Sequence, residues 1–186
     1  MIKKLKNYSK GNGNFKGFKL ICFYVLIFVV GCIVGWIYEE LFYLLDDHIL
    51  CNRGFLYGPY LPVYGIGAIV LTPILRKLKK NPLLVFLSAM IITGIVEYVI
   101  GQLMWNVYHE MWWDYTGLFL NIGGFVCLRS VLTFAIGGLM LVYIVDPLVV
   151  HFVSKISAKK CKLLVLSIGV IFIIDLVFTL LFRHPL

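Results

Sequence analysis

A chain of 186 residues that is 61% hydrophobic and only 14% charged, with a mean hydropathy of +0.95, lies outside the composition of a soluble domain. Its net charge of +8 is accounted for by membrane orientation and anionic lipid and requires no nucleic-acid partner. The class that fits is an all-α polytopic membrane bundle.

The first 17 residues, with Gly11, Gly13, Gly17 and several Lys and Asn, read as a mobile basic cytoplasmic tail, and residues 18–186 as a single transmembrane domain. A bilayer core of about 30 Å takes roughly 20 helical residues, and five apolar segments approach that length. Span one is predicted from Phe18 to Leu45. It is too long for a signal-peptide core and is interrupted by Glu39 and Glu40, so it is expected to be retained. Span two is predicted from Phe55 to Leu75, after the stretch CNRGFLYGPYLPVYG at residues 51–65. Counted from Leu61, that span is short. The expectation is either irregular backbone dipping into the membrane, which is tolerated only where protein or water satisfies it, or local thinning of the bilayer. A tight turn from Arg76 to Asn81 leads to Pro82 and span three, Leu83 to Trp105. Span four is predicted from Gly123 to Val145 and span five from Leu163 to Phe182. Between them, Leu148, Val149, Phe152, Val153 and Ile156 fall on one face and His151, Lys155, Lys159 and Lys162 on another. This predicts a short amphipathic inner helix, resting on anionic lipid or docking a cytoplasmic partner.

Charge placement orients the spans. Lys3, Lys4, Lys6, Lys10, Lys16 and Lys19, then Arg76, Lys77, Lys79 and Lys80, then Lys155, Lys159, Lys160 and Lys162 all fall on one side. The other side holds Asp46, Asp47, Glu110 and Asp114 with Arg53 as its basic residue. Lys and Arg collect in short cytoplasmic loops, so five spans with the N-terminus inside and the C-terminus outside are expected.

Ionisable groups within spans are costly, by about 2.5–3.5 kcal/mol on insertion scales, and face a bundle interior or a wet cavity. Here they are Glu39, Glu40, Glu97, Arg129 and Asp175. Gly31, Gly35 and Glu39 share one helical stripe, as do Thr93, Glu97 and Gly101, so both acids are expected to meet protein. Snorkelling to the headgroups is the alternative, better suited to Glu40. Arg53 is placed to reach Glu39 or Glu97 from above, or else is an exposed turn residue. In the loop HEMWWDYTGLFLN at 109–121, Trp112, Trp113 and Tyr115 read as an interfacial belt. His109, Glu110 and Asp114 lack metal-site spacing, and the five cysteines suggest neither a disulfide framework nor zinc.

Gly35-Trp36-x-x-Glu39, Asn52-Arg53-Gly54-Phe55-Leu56-x-Gly58-Pro59-x-x-Pro62-x-Tyr64-Gly65-x-Gly67, Glu97-Tyr98, Trp113-Asp114-Tyr115 and Asn121-x-x-Gly124 resemble the type IV ABC-transporter, or CmpB-like, family of bacterial membrane proteins. The resemblance implies a multi-pass protein of the bacterial plasma membrane acting as a permease. The family pattern commonly has Glu where this chain has Trp105 and Arg where it has Phe125. Joint replacement of an ion pair by apolar groups is nearly neutral, so Trp105 and Phe125 are expected to pack together, with Arg129 partly replacing the missing base.

Three functions compete. Transport would use an outward-facing polar pocket drawn from Glu39, Asn52, Arg53, Tyr64, Glu97, Asp114 and Asn121. The chain has no phosphate-cradling glycine loop, so the ATPase would be a separate cytoplasmic chain, and a homo-oligomer would help enclose a path. An enzyme acting on lipid or wall precursors would use Glu39 or Glu97 as acid or base, but no nucleophile stands beside a base. A non-catalytic scaffold would use the polar groups only to fix packing. No cofactor is expected.

Overall fold

The computed structural model describes residues 15–46, 48 and 54–182. Among the described residues, six α-helices follow in order: α1 Phe18–Asp46, α2 Pro62–Leu78, α3 Pro82–Tyr108, α4 Leu128–Met140, α5 Asp146–Lys155 and α6 Ala158–Phe182, with a π-helical segment, Leu141–Val145, between α4 and α5. The described residues contain no strand, only a bridge between Ile122 and Val126. Among the described residues, four helical runs are long and apolar enough to cross a membrane: Phe18–Phe42, Pro82–Tyr108, Leu128–Lys155 and Ala158–Phe182.

Local chemistry sets the ends. Asn81 caps α3, its Oδ1 accepting from the amides of Leu83 at 3.0 Å and Leu84 at 3.4 Å, while Pro82 fills the first turn, where no amide is needed. At the far end His109 adopts a left-handed conformation, φ 54°, and stops the helix. Cys127 and Ser130 form a reciprocal cap on α4.

Three boundaries differ from expectation. Span four begins at Leu128, not Gly123, because Gly123 and Gly124 take φ values of 62° and 75°, which no helix continues. The expected second span holds the 17-residue helix α2, which is not among those four runs, and residues from Gly54 to Pro59 are a chain of bends. The expected amphipathic helix is corrected: only its first part is helix α5, continuous with α4 through the π segment, while Ile156 follows α5 and Lys159 and Lys162 belong to α6, which begins at Ala158, five residues before the expected Leu163. Helix α5 buries Val149, Val150 and Val153 and exposes Leu148, Phe152 and Lys155.

The chain forms two compact units, residues 1–70 with 145–186 and residues 71–144. In the first, α1 packs against α5 and α6. The first turns of α2 also lie on α1's glycine stripe. A Cβ on Gly31 would stand 2.8 Å from Ala68 Cβ and 3.0 Å from Tyr64 O, and one on Gly35 would enter the Tyr64 ring. Between membrane helices such backbone proximity supplies the van der Waals contact that lipid exclusion does not.

In the second unit α3 packs on α4, and Leu75, Val85, Ala89 and Val142 form a buried cluster. Gly138 completes it: a Cβ there would lie 2.5 Å from Ala89 Cβ. Gly138→Val is expected to lower unfolding stability in micelles by about 1–3 kcal/mol through overpacking. Gly169→Ala, with nothing within 4 Å of its Cβ, is the control and should leave the unfolding midpoint unchanged or slightly raised.

Candidate functional site: carboxylates held within the helices

Asp175 lies on α6, seven residues before Phe182, so its carboxylate is about 10 Å from that helix end. The helix is about 37 Å long against a core of about 30 Å, which places Asp175 inside the apolar layer when α6 spans it. Its Oδ1 accepts from the Tyr57 amide at 3.1 Å, and its Oδ2 accepts from the Gly58 amide at 3.0 Å and from the Tyr60 hydroxyl. Thr179 Oγ1 approaches Oδ1 at 3.5 Å. The non-helical segment before α2 is therefore fastened to α6 by one side chain. Further along, the Leu61 amide donates to the Cys32 carbonyl at 3.0 Å, and the Tyr60 ring lies 4.4 Å from that of Phe172. Irregular backbone at depth needs protein partners of this kind. Tyr57, Pro59, Tyr60, Ile171, Ile174 and Phe178 line an open, mostly apolar groove of about 550 Å³ over this contact.

In the same unit the half-buried Glu39 accepts at Oε1 from the Tyr64 hydroxyl. Tyr64 reaches it because Gly35, one turn below Glu39, has no side chain to hold the tyrosine ring away.

The second unit carries the third acid. Glu97 on α3 accepts from Ser130 Oγ at 2.7 Å through Oε2 and from the Tyr115 hydroxyl at 3.0 Å through Oε1. Ser130 is buried in the first turn of α4, with the Cys127 carbonyl at 3.0 Å as a second acceptor for its hydroxyl. Gly101, on the Glu97 stripe, admits the Phe125 ring: a Cβ would meet Phe125 Cδ1 at 2.8 Å. Both stripes thus face protein.

The loop from 109 to 127 is organised by its own polar groups. The Trp113 indole donates to Phe125 O at 2.8 Å, and the Tyr115 amide donates to Gly124 O at 2.9 Å. Asp114 Oδ1 accepts from the Thr116 amide at 2.8 Å, and Asn121 joins Leu118 O to the Gly124 amide at 3.0 and 3.3 Å. Trp113 and Tyr115 thus secure the loop, while Trp112 is exposed. The bonds to Thr116, side chain and backbone, hold the Asp114 carboxyl below the ordinary carboxylate value of 3.8. A depressed folded pKa means the contribution is full above that ordinary value and is lost as pH falls through the lowered one. The Thr116 amide resonance is expected to stay constant from pH 7 to 5 and to shift in more acid solution with a midpoint below the ordinary carboxylate value. In Asp114→Asn it should not titrate with this group at all.

Of the sequence-predicted residues, Glu39 and Tyr64 meet in one unit, and Glu97 lies in the other, where Asp114 and Asn121 shape the loop that delivers Tyr115. Asn52 and Arg53 lie outside the described residues, as does the expected reach of Arg53 to a carboxylate. Arg129 is exposed. The expected packing of Trp105 on Phe125 is corrected: among the described residues, Phe125 stands edge-on to Tyr98 at 5.9 Å and Trp105 to His109 at 6.3 Å. Phe125 takes the space over Gly101, one turn below Trp105. Sequence reasoning missed Ser130, Tyr115 and Tyr60 as carboxylate partners, although each is a hydroxyl group in or beside an apolar run. Among the described residues no three His, Cys, Asp or Glu side chains gather to hold a metal ion.

Apolar helices of spanning length that carry carboxylates bonded to tyrosine and serine hydroxyls define a multi-pass integral membrane protein. The family model described as "Putative ABC-transporter type IV" matches residues 26–180, and the chain belongs to that family. No curated protein and no solved structure matches it.

Proposed function

We propose that this chain is the membrane-embedded permease component of an ABC-type transporter of the bacterial plasma membrane. In this reading it crosses five times, N-terminus inside and C-terminus outside, with α2 as the short second crossing, and a separate cytoplasmic ATPase supplies the energy. Family membership supports transport. The observation that carries the reading is that carboxylates on spanning helices, Glu39, Glu97 and Asp175, are bonded to neutral hydroxyls and amides of other segments. Acids kept at depth in this way mark a substrate or ion path. Glu39 and Tyr64, to which Asn52 and Arg53 would add, are the proposed outward-facing polar site of one unit, and Glu97 with Asp114 and Asn121 that of the other, each taken by itself. Five crossings are few to enclose a path, so a homo-oligomer belongs to the proposal.

The test is purification of the chain from its own host in mild detergent. The expected result is a complex with an ATP-hydrolysing subunit at fixed stoichiometry, whose ATP turnover falls when Glu97 is replaced by Gln. A homogeneous chain without a nucleotide-binding partner, in a host whose phenotype on deletion is unrelated to uptake or export, would end the reading.

A further inference from the structure

Lys16 and Lys19 at the start of α1 are separated in sequence by more than a hundred residues from Lys155, Lys159, Lys160 and Lys162 around the α5–α6 junction. The fold brings the two segments together within one unit. Lys162 Nζ stands 5.6 Å from the centre of the Phe18 ring, and Cys22, one turn after Phe18, and Cys161, the residue before Lys162, are both fully buried. Five of these six lysines are exposed and Lys19 partly so. Neither residues 15–38 nor 147–174 contain an acidic residue. The fold therefore gathers positive charge at one helix end from segments that bring no carboxylate of their own, and like charges brought together oppose the compact state.

From this we infer that the junction of the α1 start with α5 and α6 is a docking surface for anionic phospholipid headgroups, which serve as the missing counter-charge. Three features favour lipid over an acidic protein surface. All six cations are Lys, a flexible point charge suited to mobile headgroups, and none is Arg, the residue of fixed bidentate recognition. Exposed apolar residues lie within a turn of them, Phe18, Leu20 and Ile21 on α1, Phe152 on α5 and Leu163 on α6. The ammonium groups thus sit where hydrocarbon gives way to headgroups, with stems able to run along the apolar surface. Phe18 under Lys162 is an exposed aromatic at that same level, as in interfacial belts. A polybasic segment at a leaflet surface gains about fivefold in binding for each Lys. The consequence is that anionic lipid clasps the ends of α1 and α6 together.

The experiment uses the full chain in micelles, titrated with phosphatidylglycerol, phosphatidylcholine or inorganic phosphate, with lipid retention read by native mass spectrometry and stability by the thermal midpoint. Phosphatidylglycerol is expected to be retained and to raise the midpoint, and phosphatidylcholine and phosphate to do neither. Lys159→Gln/Lys160→Gln/Lys162→Gln should weaken retention on the order of a hundredfold. Relieved of repulsion, it should unfold no earlier than the wild type without lipid. The corresponding triple Arg variant keeps the charge and should keep the lipid. Equal retention of phosphatidylcholine, the same shift with phosphate alone, or a Gln variant that retains phosphatidylglycerol like the wild type would overturn the inference. So would an acidic soluble protein that binds the patch when no lipid does.

Discussion

Asp175→Ala is expected to release the segment Gly54–Tyr60 from α6 and to cost about 3–6 kcal/mol. The Tyr57 and Gly58 amides and the Tyr60 hydroxyl all donate to this one carboxylate, and each polar group left unsatisfied away from water costs about 1–3 kcal/mol. In hydrocarbon, water cannot take the place of the lost acceptor. Asp175→Asn keeps one acceptor oxygen and should fall between Ala and the wild type. Tyr60→Phe removes a single donor and should cost about 1 kcal/mol. Hydrogen exchange at Tyr57 and Gly58 gives a local measure beside the global unfolding curve. Both amides should exchange much faster in the Ala variant, while those of α3, in the other unit, should not. If the Ala variant is as stable as the wild type and the two amides stay protected, the clasp is not what holds this segment.

How much of this was legible in the sequence follows from the range of each interaction. The long helices α1 and α3 were read to within three residues because length and continuous hydropathy decide them, and both are local properties, whereas α6 begins five residues before the expected Leu163 because its first turn carries lysines that interrupt the apolar run. The shortness of α2 was legible too, since Pro62 and the glycines before it mark where a helix can begin. The start of α4 was placed five residues early because Gly123-Gly124 continues an apolar run, and only the positive φ values reveal a turn. The clasp on Asp175 was not legible: its donors are backbone amides 118 and 117 residues upstream, and an amide carries no side-chain signature. Trp105 and Phe125 were paired from the resemblance, which puts an acid and a base at those positions, whereas the space for a ring is set by Gly101. Asp114 and Asn121 are short polar side chains, which bond to backbone within a few residues of themselves, so their loop-forming geometry could have been anticipated from type and position.

Glu97→Gln separates a working carboxylate from a structural one. Gln keeps the shape and one carbonyl oxygen, and the hydroxyls of Ser130 and Tyr115 can rotate to accept from its amide where they formerly donated. The fold is therefore expected to survive, with a loss of about 1 kcal/mol or less. Glu97→Leu removes both acceptors. Ser130 can then turn to the Cys127 carbonyl at 3.0 Å, but the Tyr115 hydroxyl loses its Glu97 acceptor, and a cost of about 1–3 kcal/mol follows. A double-mutant cycle of Glu97→Leu with Ser130→Ala, in which each single change removes the bond, should show coupling of about 1.5–3 kcal/mol if the wild-type bond is charge-assisted, and clearly less if it joins two neutral groups. What the Gln variant removes in either case is the capacity to carry a charge or exchange a proton at mid-helix. A transport-linked role predicts that host phenotype or coupled ATP turnover falls at least tenfold while expression and unfolding midpoint stay near wild type. A scaffold predicts the reverse pattern: full function in the Gln variant, and losses in the Leu variant that track its stability.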